Sequence, residues 1–540
     1  MQFPEIRELD YTTIVGRRAR EDGARTYLRF EDEHYTFLDA HQLTNRVGNG
    51  LMQHGVARGE HVALMLDNCP EIAWYLFGIG KIGAVSVPLN TASKGELLAR
   101  FLRQSRTSCI VVAAHLVGRV AQVAAQCPEL KRCVIVTGRG PAEADEAKMP
   151  PGLAGIGHQE LMKVADVAPD TGVPVRFDDL ACLMFTSGTS GPSKAIMSTH
   201  AHSFSPAISL AKAFDYGRDE VMYTCLPLFH GNAMRALFIA MITGGSVVVG
   251  RKFSASNFFA DVRRYKATQF NLLGAMANIL WAQAPSPADR DHGARKCMIV
   301  PMPAFAEPFS ERFGLQLCST YALTDFAYVS FLSTADPKSK WRSAGRVQPD
   351  IELAIVDEDD FPVPTGATGE ICIRSRRPWI AAQGYYGMPE ATVKAWRNLW
   401  FHTGDRGYID GDGYLFFVDR KKDAIRRRGE NISSYEVEQI IGQHPAVLDV
   451  AAFAVASEMS EDEVMVSVVL KPGEKLGEEE LVRWSEKQMA HFMVPRYIEF
   501  LPSLPRTLTE KVEKYKLRIA AEQRLASVWD REKHGIKLAR

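Results

Sequence analysis

At 540 residues the chain is too long for one hydrophobic core, so at least two domains are expected. Its 64 basic and 64 acidic side chains cancel, which argues against a polyanion partner held by bulk electrostatics, and no stretch approaches the eighteen apolar residues of a membrane span. Nine cysteines with no CxxC pair and no Cys/His cluster at zinc spacing fit a reducing cytoplasm, and Met1-Gln-Phe-Pro-Glu-Ile-Arg-Glu8 lacks the basic and apolar blocks of a signal peptide.

Residues 62–89 read as strand, helix, strand: an apolar run at 62–66, a helix opened by Pro70 and running through Lys81, and a second strand at 84–89. The alternation continues at 109–113 and 132–136, then from Leu180 to Val300. Such alternation predicts an α/β fold with two doubly wound, mainly parallel sheets. Residues 351–357, 369–374 and 414–419 are short strands separated by Gly, Pro and Asp turns, which predicts a small antiparallel β unit. Past Arg420 a separate block begins. Ser433-Ser-Tyr-Glu436 has capping-box spacing before a helix, strands follow at 450–456 and 464–470, and a further helix lies near 478–490. The expected organisation is an N-terminal domain over 1–420 and a small α+β domain over 421–540. The polar run Asp419-Arg-Lys-Lys-Asp423 joins them.

Three segments carry chemistry. Phe185-Thr-Ser-Gly-Thr-Ser-Gly-Pro-Ser-Lys194 follows the apolar strand 180–185 and holds two glycines, hydroxyl side chains and a terminal lysine. Glycine lets backbone N–H groups approach an anion, and Thr186, Ser187, Thr189 and Ser190 add donors. The spacing of Gly188, Gly191 and Lys194 is not that of a Walker A loop. A polyphosphate cradle is expected, set against the blander reading of a flexible Gly/Ser linker. Ser319-Thr-Tyr-Ala-Leu-Thr-Asp325 places a hydroxyl and a carboxylate side by side after a strand, as a Mg²⁺ site requires. In Phe401-His-Thr-Gly-Asp-Arg-Gly407, Asp405 sits in a tight turn where a carboxylate can accept both ribose hydroxyls.

Taken in order, these segments resemble the adenylate-forming superfamily of acyl- and aryl-CoA synthetases, non-ribosomal-peptide adenylation domains and luciferases. Phe185–Lys194 is similar to that family's phosphate loop, Tyr321–Asp325 to its Tyr-Gly-x-Thr-Glu motif and Thr403-Gly-Asp405 to its ribose motif. Asp419-Arg-Lys-Lys-Asp423 resembles its hinge, Arg428-Gly-Glu-Asn-Ile432 the loop beside the thiol acceptor, and Pro505-Arg-Thr-Leu-Thr-Glu-Lys511 the segment carrying its C-terminal lysine. The resemblance implies two steps. A small to medium carboxylic acid attacks ATP to give an acyl-adenylate and pyrophosphate; the C-terminal domain then rotates and coenzyme A displaces AMP. It further implies that Thr186, Lys194, Asp325 and Lys511 are catalytic. ATP would be held by Thr186–Ser190 (with Gly188), Lys194, Thr320, Tyr321, Thr324, Asp405, Arg420 and Lys511, with Thr324 and Asp325 on Mg²⁺. Lys422 takes the hinge position. Arg428, Gly429 and Glu430 would meet coenzyme A, and Phe229, His230, Met234, Gly274, Met302, Ala322 and Phe326 the acyl group. His230 stands where the family has an aromatic gate; a satisfied histidine at a helix start is its plainer reading.

Several positions depart from the family pattern: Pro192-Ser193, Ala195, Asp325 for glutamate, Ala322 for glycine, Val300-Pro-Met-Pro303 in the adenine loop, Arg428, and Glu510 before the lysine. The chain most resembles the crotonobetaine/carnitine–CoA ligases and related acyl-CoA ligases. Asp67-Asn-Cys-Pro-Glu71, Lys81-Ile-Gly-Ala84, Phe416-Phe-Val-Asp-Arg420 and Gly429-Glu-Asn-Ile-Ser433 carry that likeness. None of these should touch the acid, whose identity stays open. Three functions follow: an acid–CoA ligase, an adenylating enzyme that loads a carrier protein, and a non-catalytic nucleotide binder. Partners are small molecules rather than nucleic acid or membrane, and a homodimer is compatible with the family.

Overall fold

The computed structural model describes residues 3–139, 149–186, 193–281, 283–303, 305–420, 424–457, 461–505, 512 and 514–538. The chain divides into two compact units. One comprises Met1–Thr91, Leu102–Met184 and Ala195–Asp419, the other Ala92–Phe101, Phe185–Lys194 and Arg420–Arg540.

A seven-stranded sheet runs in the order Ala154–Gly157, Arg132–Val136, Thr107–Ala113, His61–Met65, Val85–Pro88, Leu180–Thr186 and Lys194–Thr199. The first five strands pair in parallel, and Val85–Pro88 pairs in parallel with Leu180–Thr186. The helix Pro70–Lys81 is buried along its whole length, as expected where apolar residues surround a helix completely. It packs on Phe37–Gln53, whose start is fixed by a capping box between Thr36 and Asp39. Gly78 permits the close crossing. A Cβ there would lie 2.6 Å from Val47 Cγ1 and 2.8 Å from the Thr44 carbonyl oxygen.

Lys81 ends that helix at 2% exposure. Its ammonium donates to Asn45 Oδ1 at 2.7 Å and to the His41 carbonyl at 3.3 Å, and neither partner is a carboxylate. Burial therefore pulls its pKa down from 10.5 to about 7. Between those two values the unfolded chain holds a proton that the folded chain has lost, so stability rises with pH across the window and is lowest below about 7. Denaturation midpoints measured from pH 6 to 9 should climb in the wild type. A Lys81→Met variant should give a flatter profile, and an equal slope in both proteins would refute this assignment.

The second sheet has nine strands, ordered Arg346–Val347, Tyr328–Leu332, Gln316–Ala322, Lys296–Val300, Gln269–Leu273, Val221–Thr224, Ser246–Val249, Thr26–Phe30 and Glu33–Thr36. Its middle is parallel, and each edge is closed by antiparallel pairing. A four-stranded sheet of Ile351–Val356, Gly369–Ser375, Phe401–Ile409 and Leu415–Arg420 completes the first body, with Ile371, Ile373, Phe401 and Phe326 in its core. Its first three strands pair antiparallel.

In the second unit, Ala424–Arg427 and Glu430–Ser433 form a hairpin ahead of the helix Ser434–Ile441. Val447–Ala456, Asp462–Leu470, Tyr497–Phe500 and Trp529–Asp530 form a four-stranded sheet packed by the helix Lys514–Arg524. The fold is thus α/β with a large N-terminal part and a small C-terminal α+β part. No helix among the described residues is long and apolar enough to cross a membrane.

Candidate active site

Four adjacent parallel strands of the nine-stranded sheet end on one side, and their carboxyl-terminal loops carry most of the expected site. Tyr321–Asp325 close the strand Gln316–Ala322, Met302 follows Lys296–Val300, and Gly274 follows Gln269–Leu273. Phe229, His230 and Met234 follow Val221–Thr224. Open α/β sheets bind ligands beyond strand carboxyl ends, because loops there diverge and helix N-termini point outward. The helices Gly231–Thr243 and Gly274–Trp281 both begin at this rim.

Within this region the expected acyl residues fall into two groups. Phe229 and His230 rings lie 4.6 Å apart at the start of Gly231–Thr243, and His230 is its N-cap residue. A Cβ on Gly274 would come within 3.4 Å of Pro301 Cδ, so the 274 and 301–302 turns are neighbours. Met234 is 4% exposed, and Ala322 is exposed. Phe326 differs. It is fully buried and packs on Phe401 and Trp396 in the core beneath the antiparallel sheet, so its ring serves that core. Sequence reading missed a polar pair between the apolar segments: Asn271 Nδ2 donates to Asn232 Oδ1 at 3.2 Å. Two isolated asparagines 39 residues apart carry no local signal.

The residues expected to hold the nucleotide meet through side chains distant in the chain. Tyr321 donates its hydroxyl to Asp405 Oδ2 at 2.7 Å, which joins the second and third motifs. Asp405 is 3% exposed, and its N–H donates to Thr403 Oγ1 at 3.0 Å. The Thr403 hydroxyl in turn donates to the Ile371 carbonyl at 2.7 Å, and the Gly404 N–H to Glu370 Oε1 at 3.2 Å. Gly404 has φ 72°, a left-handed value suited to glycine, and it lets the chain turn between these two anchors. Thr320 gives its hydroxyl to the Ser330 carbonyl at 2.7 Å. Asp325 Oδ2 accepts from Tyr385 at 2.8 Å; burial, then the carboxylate, push the Tyr385 pKa well up and keep the phenol a donor.

Ser187, Gly188, Thr189, Ser190, Lys422 and Lys511 lie outside the described residues. Thr186 and Arg420 end the strands Leu180–Thr186 and Leu415–Arg420. Lys194 opens the strand Lys194–Thr199 and is partly exposed. Ser193 donates through its N–H to Glu436 Oε1 at 2.9 Å and also through its hydroxyl. Glu436, whose spacing is that of a capping box, thus directs its carboxylate to Ser193, the last hydroxyl residue of the glycine-rich segment 185–194. Burial raises its pKa to about 7. Arg428 and Gly429 turn between the two hairpin strands with positive φ, and Arg428 pairs with Glu532 at 3.2 Å. Glu430 begins the second of those strands.

Two mainly parallel sheets, an antiparallel unit and a small α+β body, with Tyr321 and Asp405 joined by a hydrogen bond, match the architecture of nucleotide-dependent ligases. The AMP-binding enzyme family matches residues 15–386, and its C-terminal domain family matches 436–511. The chain belongs to the AMP-binding enzyme family. It is 33% identical over 507 residues to the crotonobetaine/carnitine–CoA ligase of Salmonella heidelberg strain SL476, covering 92% of this chain and 96% of that one. Among solved structures, a double mutant of o-succinylbenzoate CoA synthetase from Bacillus subtilis shares the fold. Its TM-score is 0.79 at 24% identity, over 94% of this chain and 98% of the other. An anthranilate CoA ligase in complex with anthranoyl-AMP gives 0.71 at 25% identity, over 97% and 99%.

Proposed function

We propose that this chain activates a small to medium carboxylic acid in a mostly apolar pocket lined from the loops at 229–234, 274 and 302. The reaction is ATP-dependent acid–CoA ligation of the AMP-forming type: an acyl-adenylate forms with loss of pyrophosphate, and coenzyme A then displaces AMP as the thioester forms. The observation that carries this reading is the hydrogen bond from Tyr321 to Asp405, which brings together two motifs 84 residues apart beside the strand ends.

In this reading Asp405 accepts the ribose hydroxyls, with Arg420 at the end of the strand that follows it in the chain. Tyr321, already committed to Asp405 through its hydroxyl, offers its ring to the nucleotide and Thr320 supports the strand that carries it. Both reactants are anions, so the barrier falls mainly through positioning and charge neutralisation. Donors from Thr186–Ser190 and the Lys194 ammonium would stabilise the departing pyrophosphate, and Lys511 would bridge acid and α-phosphate. Thr324 and Asp325 offer the hydroxyl and carboxylate oxygens that suit Mg²⁺, and the Tyr385 hydrogen bond fixes the carboxylate's orientation. When bound there, Mg²⁺ would supply charge neutralisation on the phosphates. The thiol step would use Arg428, Gly429 and Glu430 after rotation about Lys422. All nine cysteines are buried thiols outside any disulfide, which supports a cytoplasmic setting.

A panel of carboxylic acids assayed for AMP release, with and without coenzyme A, tests the proposal. Sustained release should require coenzyme A and a matching acid. Turnover with a carrier's phosphopantetheine arm but not with free coenzyme A would favour the carrier-loading alternative. ATP binding without pyrophosphate exchange for any acid would favour a non-catalytic homologue.

A further inference from the structure

The antiparallel sheet places three metal-binding side chains on the face opposite its hydrophobic core. Glu370 and Cys372 are two apart on the strand Gly369–Ser375, so they share a face, while Ile371 and Ile373 between and beyond them are fully buried on the other. His402 is the cross-strand partner of Cys372. A carboxylate oxygen, a thiol sulfur and an imidazole nitrogen from these residues all lie within 4.8 Å of one another. The three residues are 6%, 1% and 9% exposed.

The two spacings to His402 are those of a coordination sphere. His402 Nδ1 is 3.3 Å from Cys372 Sγ and 3.5 Å from the nearer Glu370 oxygen, Oε2. A tetrahedral ion with bonds of about 2.3 Å to sulfur and about 2.0–2.1 Å to nitrogen or oxygen sets such atoms about 3.3–3.6 Å apart. The other ring nitrogen, Nε2, faces Asp360 Oδ2 at 3.9 Å, beyond direct hydrogen-bond reach, so Asp360 would orient a ligating imidazole only by closing that gap. Arg397 stands at the rim, 2.8 Å from Asp360 and 3.4 Å from Glu370. Two anionic ligands, the Glu370 carboxylate and the Cys372 thiolate, would balance a dication, and Arg397 would keep Asp360 as its partner. The thiol proton leaves to solvent on binding.

We propose that Glu370, Cys372 and His402 bind one borderline-soft divalent cation of the Zn²⁺ type, with water in the fourth position. The site is structural and separate from the Mg²⁺ position at Thr324 and Asp325. It acts on the nucleotide site through one link: Glu370 Oε1 accepts the Gly404 N–H, so the ion braces the turn that presents Asp405. Failure of this proposal leaves the ligase reading untouched.

The test uses the full-length chain purified without a metal-affinity tag, stripped with chelator and titrated with Co²⁺ and Zn²⁺. One equivalent of Co²⁺ should bind and give a near-ultraviolet thiolate-to-cobalt charge-transfer band. That band should be lost in Cys372→Ser and kept in the control Cys127→Ser. Zn²⁺ should raise the thermal midpoint of the wild type but not of Cys372→Ser. A band of equal strength in Cys372→Ser, or no stoichiometric Co²⁺ binding by the wild type, overturns the proposal. The wild-type measurement alone decides the matter should the variant fold poorly.

Discussion

Lys511→Ala should lower ATP–pyrophosphate exchange by about a hundredfold or more, while thioester formation from preformed acyl-adenylate stays within a few-fold of wild type. The first step brings a carboxylate against a phosphate, and one well-placed ammonium across that contact is worth about 3 kcal/mol of barrier, or roughly a hundredfold in rate. In the proposed reaction the second step would present a different face of the small domain and would not need that charge in place. Spacing from Pro505 distinguishes Lys511 from Lys514 and Lys516, and the second unit sharpens the distinction. Lys514 donates to Ser434 Oγ at 2.8 Å and pairs with Glu438 at 2.6 Å, at the start of its own helix. Its ammonium is therefore occupied in holding one helix to another. Lys514→Ala should cost stability and leave exchange per folded molecule nearly unchanged. Near-normal exchange in Lys511→Ala would end the assignment.

Asp405→Ala should raise the KM for ATP by roughly two orders of magnitude and leave the KM for the acid within a few-fold. A carboxylate accepting two ribose hydroxyls makes two charge-assisted hydrogen bonds worth about 1.5–3 kcal/mol each. The substitution also strands the Tyr321 hydroxyl, which loses the acceptor it now holds at 2.7 Å. Asp405→Asn keeps an acceptor for Tyr321 and should fall between alanine and wild type. Steady-state kinetics with each substrate varied in turn separates the two Michaelis constants. Equal losses for ATP and acid would point to a general collapse of the turn and count against a ribose contact.

Where segments were self-contained, the reading and the structure coincide. The helix 70–81 and the strand 132–136 have their expected bounds, because a proline start and a short apolar run are local facts. The strand at Thr26–Phe30 went unread. One neighbour in the nine-stranded sheet, Ser246–Val249, lies more than two hundred residues along and leaves no local signal, whereas the other, Glu33–Thr36, forms a local hairpin that the sequence did offer. The same blindness explains Phe326 and Glu436. Phe326 was read as a pocket aromatic from its place beside a motif, yet its burial is decided by Phe401 and Trp396 on other strands. Glu436 has capping-box spacing, yet its carboxylate accepts from Ser193, 243 residues earlier.

From the sequence alone came the expectation of a polyphosphate ligand, because a glycine- and hydroxyl-rich loop ending in a lysine is built within ten consecutive residues, and the order of the further motifs carried the resemblance that implies an acid. Local backbone chemistry is enough to write such pieces. Only the tertiary structure decided how they face one another. Cys372 meets His402 across 30 residues because neighbouring strands place side chains of the same face about 5 Å apart whatever their separation along the chain, and Tyr321 meets Asp405 across 84 because strands of two different sheets carry them. The nine cysteines show no zinc spacing when read in line, and one of them acquires metal-ligand neighbours only when two strands pair.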